Sequence, residues 1–251
     1  MSLSFGAHCD DFHVTTRLYL KLDLALERET VLHFFDSVKR EFPTMRKLRR
    51  REDASLILEE EESDQIARRW LRLDSSAIRL GYHNPPDYRD AEKLGQAVLK
   101  MAPYHLTLGS LDYDHLEVVL GFDMEYRGNH DQLIADTFYS DGPLSMIFNH
   151  DSTLRAIDAQ PFLGAALTDS CDTQVYIEIK SRTSTFEVRT AQYDPQSLSV
   201  FLTIRRFWGF SESDSLLDAH RDLTERACEW AADRVVPMIV QPLALAIASR
   251  P

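Results

Sequence analysis

DHLEVVLGFDMEYRGNHDQLIADTFYSDGP, residues 114–143, is the stretch from which the fold is read. Leu116, Val118, Leu120, Phe122, Met124 and Tyr126 are apolar at every second position, the period of a strand with one buried face. Asn129 and Gln132 follow at the spacing of a capping box, whose two side chains satisfy the orphan N–H groups of a first helical turn. Leu133, Ile134, Thr137 and Phe138 then mark one helical face, and Asp141, Gly142 and Pro143 end it. Residues 17–43 repeat the order. Leu18, Leu20, Leu22, Leu24 and Leu26 share one face of a strand expected over roughly 12–26. Thr30 is the expected helix cap, Val31, Phe34, Phe35, Val38 and Phe42 form the stripe, and Pro43 closes it. Two such units predict an internally duplicated α+β protein.

Working outward, residues 56–61, 69–73 and 78–82 read as a three-stranded meander, with turns at Ser63-Asp64 and at residues 74–76. Keeping the apolar residues on one face aligns Leu58 with Leu71 and Leu80, and Leu56 with Leu73 and Ile78. The same register sets Glu60 beside Arg69 and Tyr82. The loop at residues 81–86 presents Tyr82, His83 and Asn84, is stiffened by Pro85 and Pro86, and is a candidate contact surface. Asp87 is placed to cap a helix carrying Ala91, Leu94, Ala97, Val98 and Met101.

In the second half, residues 152–169 read as a long strand or strand pair, bent near Pro161 and Gly164. Val175, Ile177 and Ile179 alternate with Tyr176, Glu178 and Lys180; Phe186 and Val188 alternate with Glu187 and Arg189. Leu198, Val200, Leu202 and Ile204 alternate with Ser199, Phe201, Thr203 and Arg205. Three antiparallel strands with one apolar face are expected. A last amphipathic helix begins near Ser213 and carries Leu216, His220, Leu223, Ala227, Trp230 and Ala231, with Pro237 expected to kink or end it.

The polar face of these strands is the leading candidate site. Glu178, Lys180, Glu187, Arg189, Thr203 and Arg205 project from it, a set in which cations hold a phosphate or carboxylate while glutamates bind a metal or accept a proton. A hairpin pairing Ile179 with Val188 also sets Lys180 opposite Glu187 and Glu178 opposite Arg189. That arrangement is the self-neutralised surface of an ordinary solvated sheet. Glu178-Ile179-Lys180 resembles half of the Glu-x-Glu-x-Lys strand motif of triphosphate tunnel enzymes, with Tyr176 in place of the first glutamate. The order strand, helix, antiparallel strands, helix, met twice, is similar to that of TATA-binding-like and helix-grip folds. That resemblance implies a curved sheet wrapped on helices. One compact unit of two halves, 12–110 and 111–251, is expected, behind a disordered or vector-derived stretch at 1–11.

The formal charge of −12 disfavours phosphate backbones, and the basic run Arg46, Lys47, Arg49, Arg50 and Arg51 is followed by four glutamates at 59–62. No nucleic acid is expected as partner. His8, Cys9, Asp10, Asp11 and His13 resemble a metal cluster in composition but lack a second ligand pair, so neither metal nor cofactor is expected. Zinc-protease, phosphate-loop, dinucleotide-binding and nucleophile-elbow motifs are missing from the sequence. Residues 235–248, the most apolar tail, are broken by two prolines and fall short of a membrane span. Three scattered cysteines fit a reducing compartment, so a cytoplasmic location is expected. The composition favours a non-enzymatic protein that binds a small molecule or a protein. The alternatives are an enzyme acting on an anionic small molecule and a homo-oligomeric structural subunit.

Overall fold

The computed structural model describes residues 5–24, 27–61, 67–148, 154–209 and 215–250. The strands are β1 (Asp11–Leu20), β2 (Met45–Arg50), β3 (Leu56–Glu60), β4 (Arg68–Leu73), β5 (Ala77–His83), β6 (Tyr113–Tyr126), β7 (Phe162–Ala166), β8 (Thr173–Lys180) and β9 (Gln196–Phe207). They form one open antiparallel sheet in the order β2-β3-β4-β5-β1-β6-β9-β8-β7. Both halves of the chain therefore share a sheet, joined where β1 pairs with β6 over Phe12↔Phe122 and Leu18↔Leu116.

The helices are α1 (Arg28–Glu41), α2 (Tyr88–Leu106), α3 (His130–Phe138), α4 (Ser145–Phe148), α5 (Thr185–Thr190), α6 (Leu216–Trp230) and α7 (Gln241–Ala248). α1, α2 and α6 pack in series, with α2 on β5 and β1 and α6 on β6 and β9. Between them and the sheet lie Leu18, Phe34, Phe35, Leu58, Leu71, Leu73, Leu80, Leu94 and Phe122, all essentially without solvent contact. Each such side chain contributes about 2 kcal/mol by leaving water. From Phe5 onward the N-terminus is packed: the Phe5 ring sits 5.6 Å from Phe12 and 6.1 Å from Tyr88.

Among the polar groups buried in this core is a histidine. His220 on α6 faces Thr16 Oγ1 at 3.0 Å through Nε2 and Gln96 Nε2 at 3.0 Å through Nδ1. Gln96 donates, so Nδ1 accepts and Nε2 carries the proton to Thr16. Burial holds its pKa down to about 4, so the ring is neutral. Gly95 on α2 makes room for it, since a Cβ there would stand 2.4 Å from His220 Nε2.

The meander register holds residue for residue: Leu58↔Leu71↔Leu80 and Leu56↔Leu73↔Ile78. Glu60 accepts from the Arg69 guanidinium at 2.9 Å and from its backbone N–H at 2.7 Å, and the guanidinium lies 4.4 Å from the Tyr82 ring. Asp87 caps α2, and Asn129 caps α3 by accepting from the N–H groups of Asp131 and Gln132. The second half of the box does not form, because Gln132 turns to Ala156 N–H and Asp136 instead.

Other expectations are corrected. β1 stops at Leu20, Leu22 is exposed, and Leu26 lies outside the described residues. α1 starts at Arg28 with Glu27 as its N-cap, which places Thr30 inside the first turn. The expectation that the glutamates behind the basic run neutralise it holds: residues 45–50 form β2, paired with β3 so that Lys47 and Arg49 meet Glu59. Within 152–169 only Phe162–Ala166 is a strand; the described residues before it are irregular, and 152–153 lie outside them. The turn at Ser63-Asp64 and the helix start near Ser213 are outside them too, and α6 is capped at Ser215. Pro237 does not end the last helix. α6, a π-helical turn region (Ala231–Val240) and α7 run on through both prolines, because π geometry absorbs a residue without the regular hydrogen bond. That 33-residue run, Leu216–Ala248, is long and apolar enough by composition to cross a membrane, while its Leu216, Leu223, Val235 and Val240 are buried in the core.

The largest correction concerns Phe186 to Arg189. The expected strand is the helix α5, nucleated by Ser184 and Glu187 in a closed capping box. β8 pairs with β9 instead, with Ile179 opposite Val200.

Candidate functional site

The predicted site residues fall in separate places. Glu187 is held in its capping box, where the Ser184 N–H and hydroxyl keep its carboxyl below the usual range. Arg189 on α5 stacks over Phe186 at 5.4 Å. Neither shares a sheet face with Glu178 or Lys180, so the expected cross-strand pairs do not exist. Tyr82 is buried on the helix side of the sheet, and Asn84 is structural. Asn84 adopts a left-handed φ of 45°, accepts from Phe12 N–H at 2.7 Å and donates to Asp11 Oδ1 at 2.7 Å. Of the loop residues, His83 alone faces the cavity described below, with Nε2 3.2 Å from Asp11.

Glu178, Lys180, Thr203 and Arg205 do share the face opposite the helices. Arg205 is locked there. Its Nε donates to Glu117 Oε1 at 2.7 Å and its Nη2 lies 2.5 Å from the same oxygen. Tyr176 and Phe207 flank its guanidinium at 5.0 and 5.7 Å. Glu117 is 2% exposed. Burial pushes its carboxyl up, but His115 and the charges of Arg205 and Arg17 outweigh that, leaving it below the usual carboxylate range. The group is thus a paired anion in its own right, and Arg205 is its partner.

The other end of the same face is concave. Over β3, β4, β5 and β1 lies a cavity of about 470 Å³ lined by Arg17, Arg51, Arg68, Trp70, Arg72 and Arg79 and also by His13, His83, Glu59 and Asp123. The register builds it. Trp70 opposes Gly81 and Arg72 opposes Arg79. Arg79 in turn stands beside Arg17 on β1, and Thr15 stands beside Gly81. The arginines form a row across three strands, roughly 5 Å from strand to strand. Asp74 orders the row, accepting from Arg72 Nε at 2.6 Å with Arg79 Nε at 3.1 Å, and Asp53 takes Arg72 Nη2 at 2.7 Å. Burial, opposed by Asp123 and aided by the charges of His83 and Arg17, lowers the His13 pKa. The imidazole therefore adds no positive charge at neutral pH.

Sequence reasoning missed these residues although it held the signal. The register that stacks Leu71 on Leu80 necessarily puts Arg72 beside Arg79 and Trp70 beside Gly81 on the other face. The addition of Arg17 was not legible, because it needs β1 to pair with β5.

A second concavity, about 410 Å³, lies between β7, β8 and the last helix and is lined by Phe138, Leu163, Ile177, Ile179, Trp230 and Met238. It contains almost no polar surface. Among the described residues, no three His, Cys, Asp or Glu side chains converge as a cation site, and His8, Cys9, Asp10, Asp11 and His13 do not form one. Comparison with protein-family models and with curated proteins finds no match to this chain.

Proposed function

We propose that this protein is a binding module for an anionic small molecule, held on the open sheet face by the arginine row over β4, β5 and β1. One observation carries the reading. In a chain of net charge −12, five arginines converge on a single concavity of ligand size. Guanidinium groups keep their charge at every physiological pH and match the oxygens of phosphate or carboxylate with paired N–H donors. They are suited to holding an anion rather than to moving protons. The enzymatic alternative on the β8–β9 end loses its support with Glu187 and Arg189 gone from that face and Arg205 committed to Glu117.

The test is thermal melting with pyrophosphate and tripolyphosphate. A ligand bound to the native state raises Tm by mass action. The expected result is a dose-dependent rise that weakens with added salt and is absent in the Arg51→Gln/Arg79→Gln double variant. A rise unchanged in that variant would overturn the reading.

We also infer that the two halves descend from a duplication of the kind found in TATA-binding-like and helix-grip folds. Support comes from the strand order: β1 and β6 sit side by side, β5 returns beside β1 as β9 returns beside β6, and a long helix, α2 or α6, follows each return. The second half departs from this in having α5 and in lacking a counterpart of β2 among the described residues.

A further inference from the structure

We propose, resting on the anion-site reading above, that the ligand carries a planar ring as well as a phosphate, the chemistry of a nucleotide, and that Trp70 is the shelf for the ring. Gly81 points to this. It lies inside the paired run of β5 and has no left-handed φ, so its backbone does not require glycine. The reason for a missing side chain is the neighbour: a Cβ there would stand 2.7 Å from Trp70 Nε1 and 2.8 Å from two ring carbons. The indole therefore packs over Gly81 in the space a Cβ would fill, and it also lines the arginine-bordered cavity.

A half-buried indole beside cations is a stacking surface for another ring. Arg68 and Arg72 are two positions either side of Trp70 on β4, roughly 7 Å along the strand. A ring on the indole thus leaves its phosphate within reach of the arginine row. The same device recurs along this face: His13 lies over Gly121 and Tyr176 over Gly164, where a Cβ would stand 2.0 and 2.8 Å from the respective rings. Of these three rings, Trp70 and His13 line the arginine-bordered cavity, and Trp70 stands between Arg68 and Arg72 on β4.

Nucleotide units come free or in a single strand, and the experiment separates the two. Calorimetric titrations compare pyrophosphate, ribose 5-phosphate, adenosine monophosphate and a single-stranded oligoadenylate of four residues. The monophosphate is expected to bind roughly tenfold more tightly than ribose 5-phosphate, a stacking-sized difference. Trp70→Leu should erase that preference while leaving pyrophosphate affinity in place, and Trp70→Phe should restore part of it. Equal binding of the monophosphate and ribose 5-phosphate by the wild-type protein, with pyrophosphate bound, overturns the ring proposal and leaves the anion site standing. Binding of none of these phosphates overturns the anion reading and this proposal with it. If Trp70→Leu fails to fold, quenching of wild-type tryptophan fluorescence by the monophosphate but not by ribose 5-phosphate gives the same decision. Tighter binding of the oligoadenylate per nucleotide identifies a strand as the source, and equal binding identifies the free nucleotide; both uphold the ring.

Discussion

The two ends of the open sheet face use the same residue types to opposite effect. At the β9–β8 end, Arg205 lies between two aromatic rings and gives its donors to a carboxylate that is itself buried. At the β4–β5–β1 end, Arg72 pairs with Asp74 and Asp53, Arg79 with Asp74 and Arg17 with Glu117, and together with Arg51 and Arg68 they line a cavity. An arginine next to a tyrosine or a tryptophan says little by itself. What decides its role is whether the surrounding strands curve into a wall that gathers several such groups around one space.

The comparison is broken most forcefully at Arg205. Arg205→Met leaves Glu117 buried with only Arg17, 3.6 Å away, and His115 as partners. The expected loss is about 2–3 kcal/mol in urea unfolding, with pyrophosphate affinity unchanged. If affinity fell with stability, the two ends would be one site. Acid probes the layer beneath β1, which links the ends. The folded-state pKa of His220 is depressed to about 4 from an ordinary 6.5, so the unfolded chain binds the proton first and stability falls as pH drops through that window. Its share of the loss is about 3 kcal/mol. Unfolding measured between pH 7 and 4 should show that slope, and His220→Gln should flatten it. Glu117, with its pKa lowered, adds a loss of the same sign at more acid pH. At the cavity end, Arg51→Gln/Arg79→Gln leaves Asp74 paired with Arg72, so it should abolish saturable pyrophosphate binding with little change in the Tm of the unliganded protein. The smallest effect belongs to Lys180→Ala, an exposed side chain at the end of β8, whose unfolding free energy should move by less than about 0.5 kcal/mol.

Period-2 alternation made β6, β9 and the meander legible, since a strand buried on one face shows its register in its leucines. It misled at residues 185–190, where Phe186 and Val188 alternate with Glu187 and Arg189 as in a strand. There Ser184 and Glu187 decide for a helix by satisfying first-turn N–H groups that a strand would leave to a neighbour. The arginine row was half legible. Arg72, Arg79 and Trp70 follow from the leucine register read on its reverse face, whereas Arg17 joins them only through a pairing between segments about 60 residues apart. Clarity of alternation, greatest on β8 and β9, reports burial rather than chemistry.

The central claim is that the arginine row, and not the β8–β9 end, holds an anion. Isothermal titration of pyrophosphate into the wild-type protein, into Arg51→Gln/Arg79→Gln and into Lys180→Ala/Arg189→Ala tests it directly. Saturable binding to the wild type and to the second variant, lost in the first, is the predicted result. Binding kept by the first variant and lost in the second would contradict it.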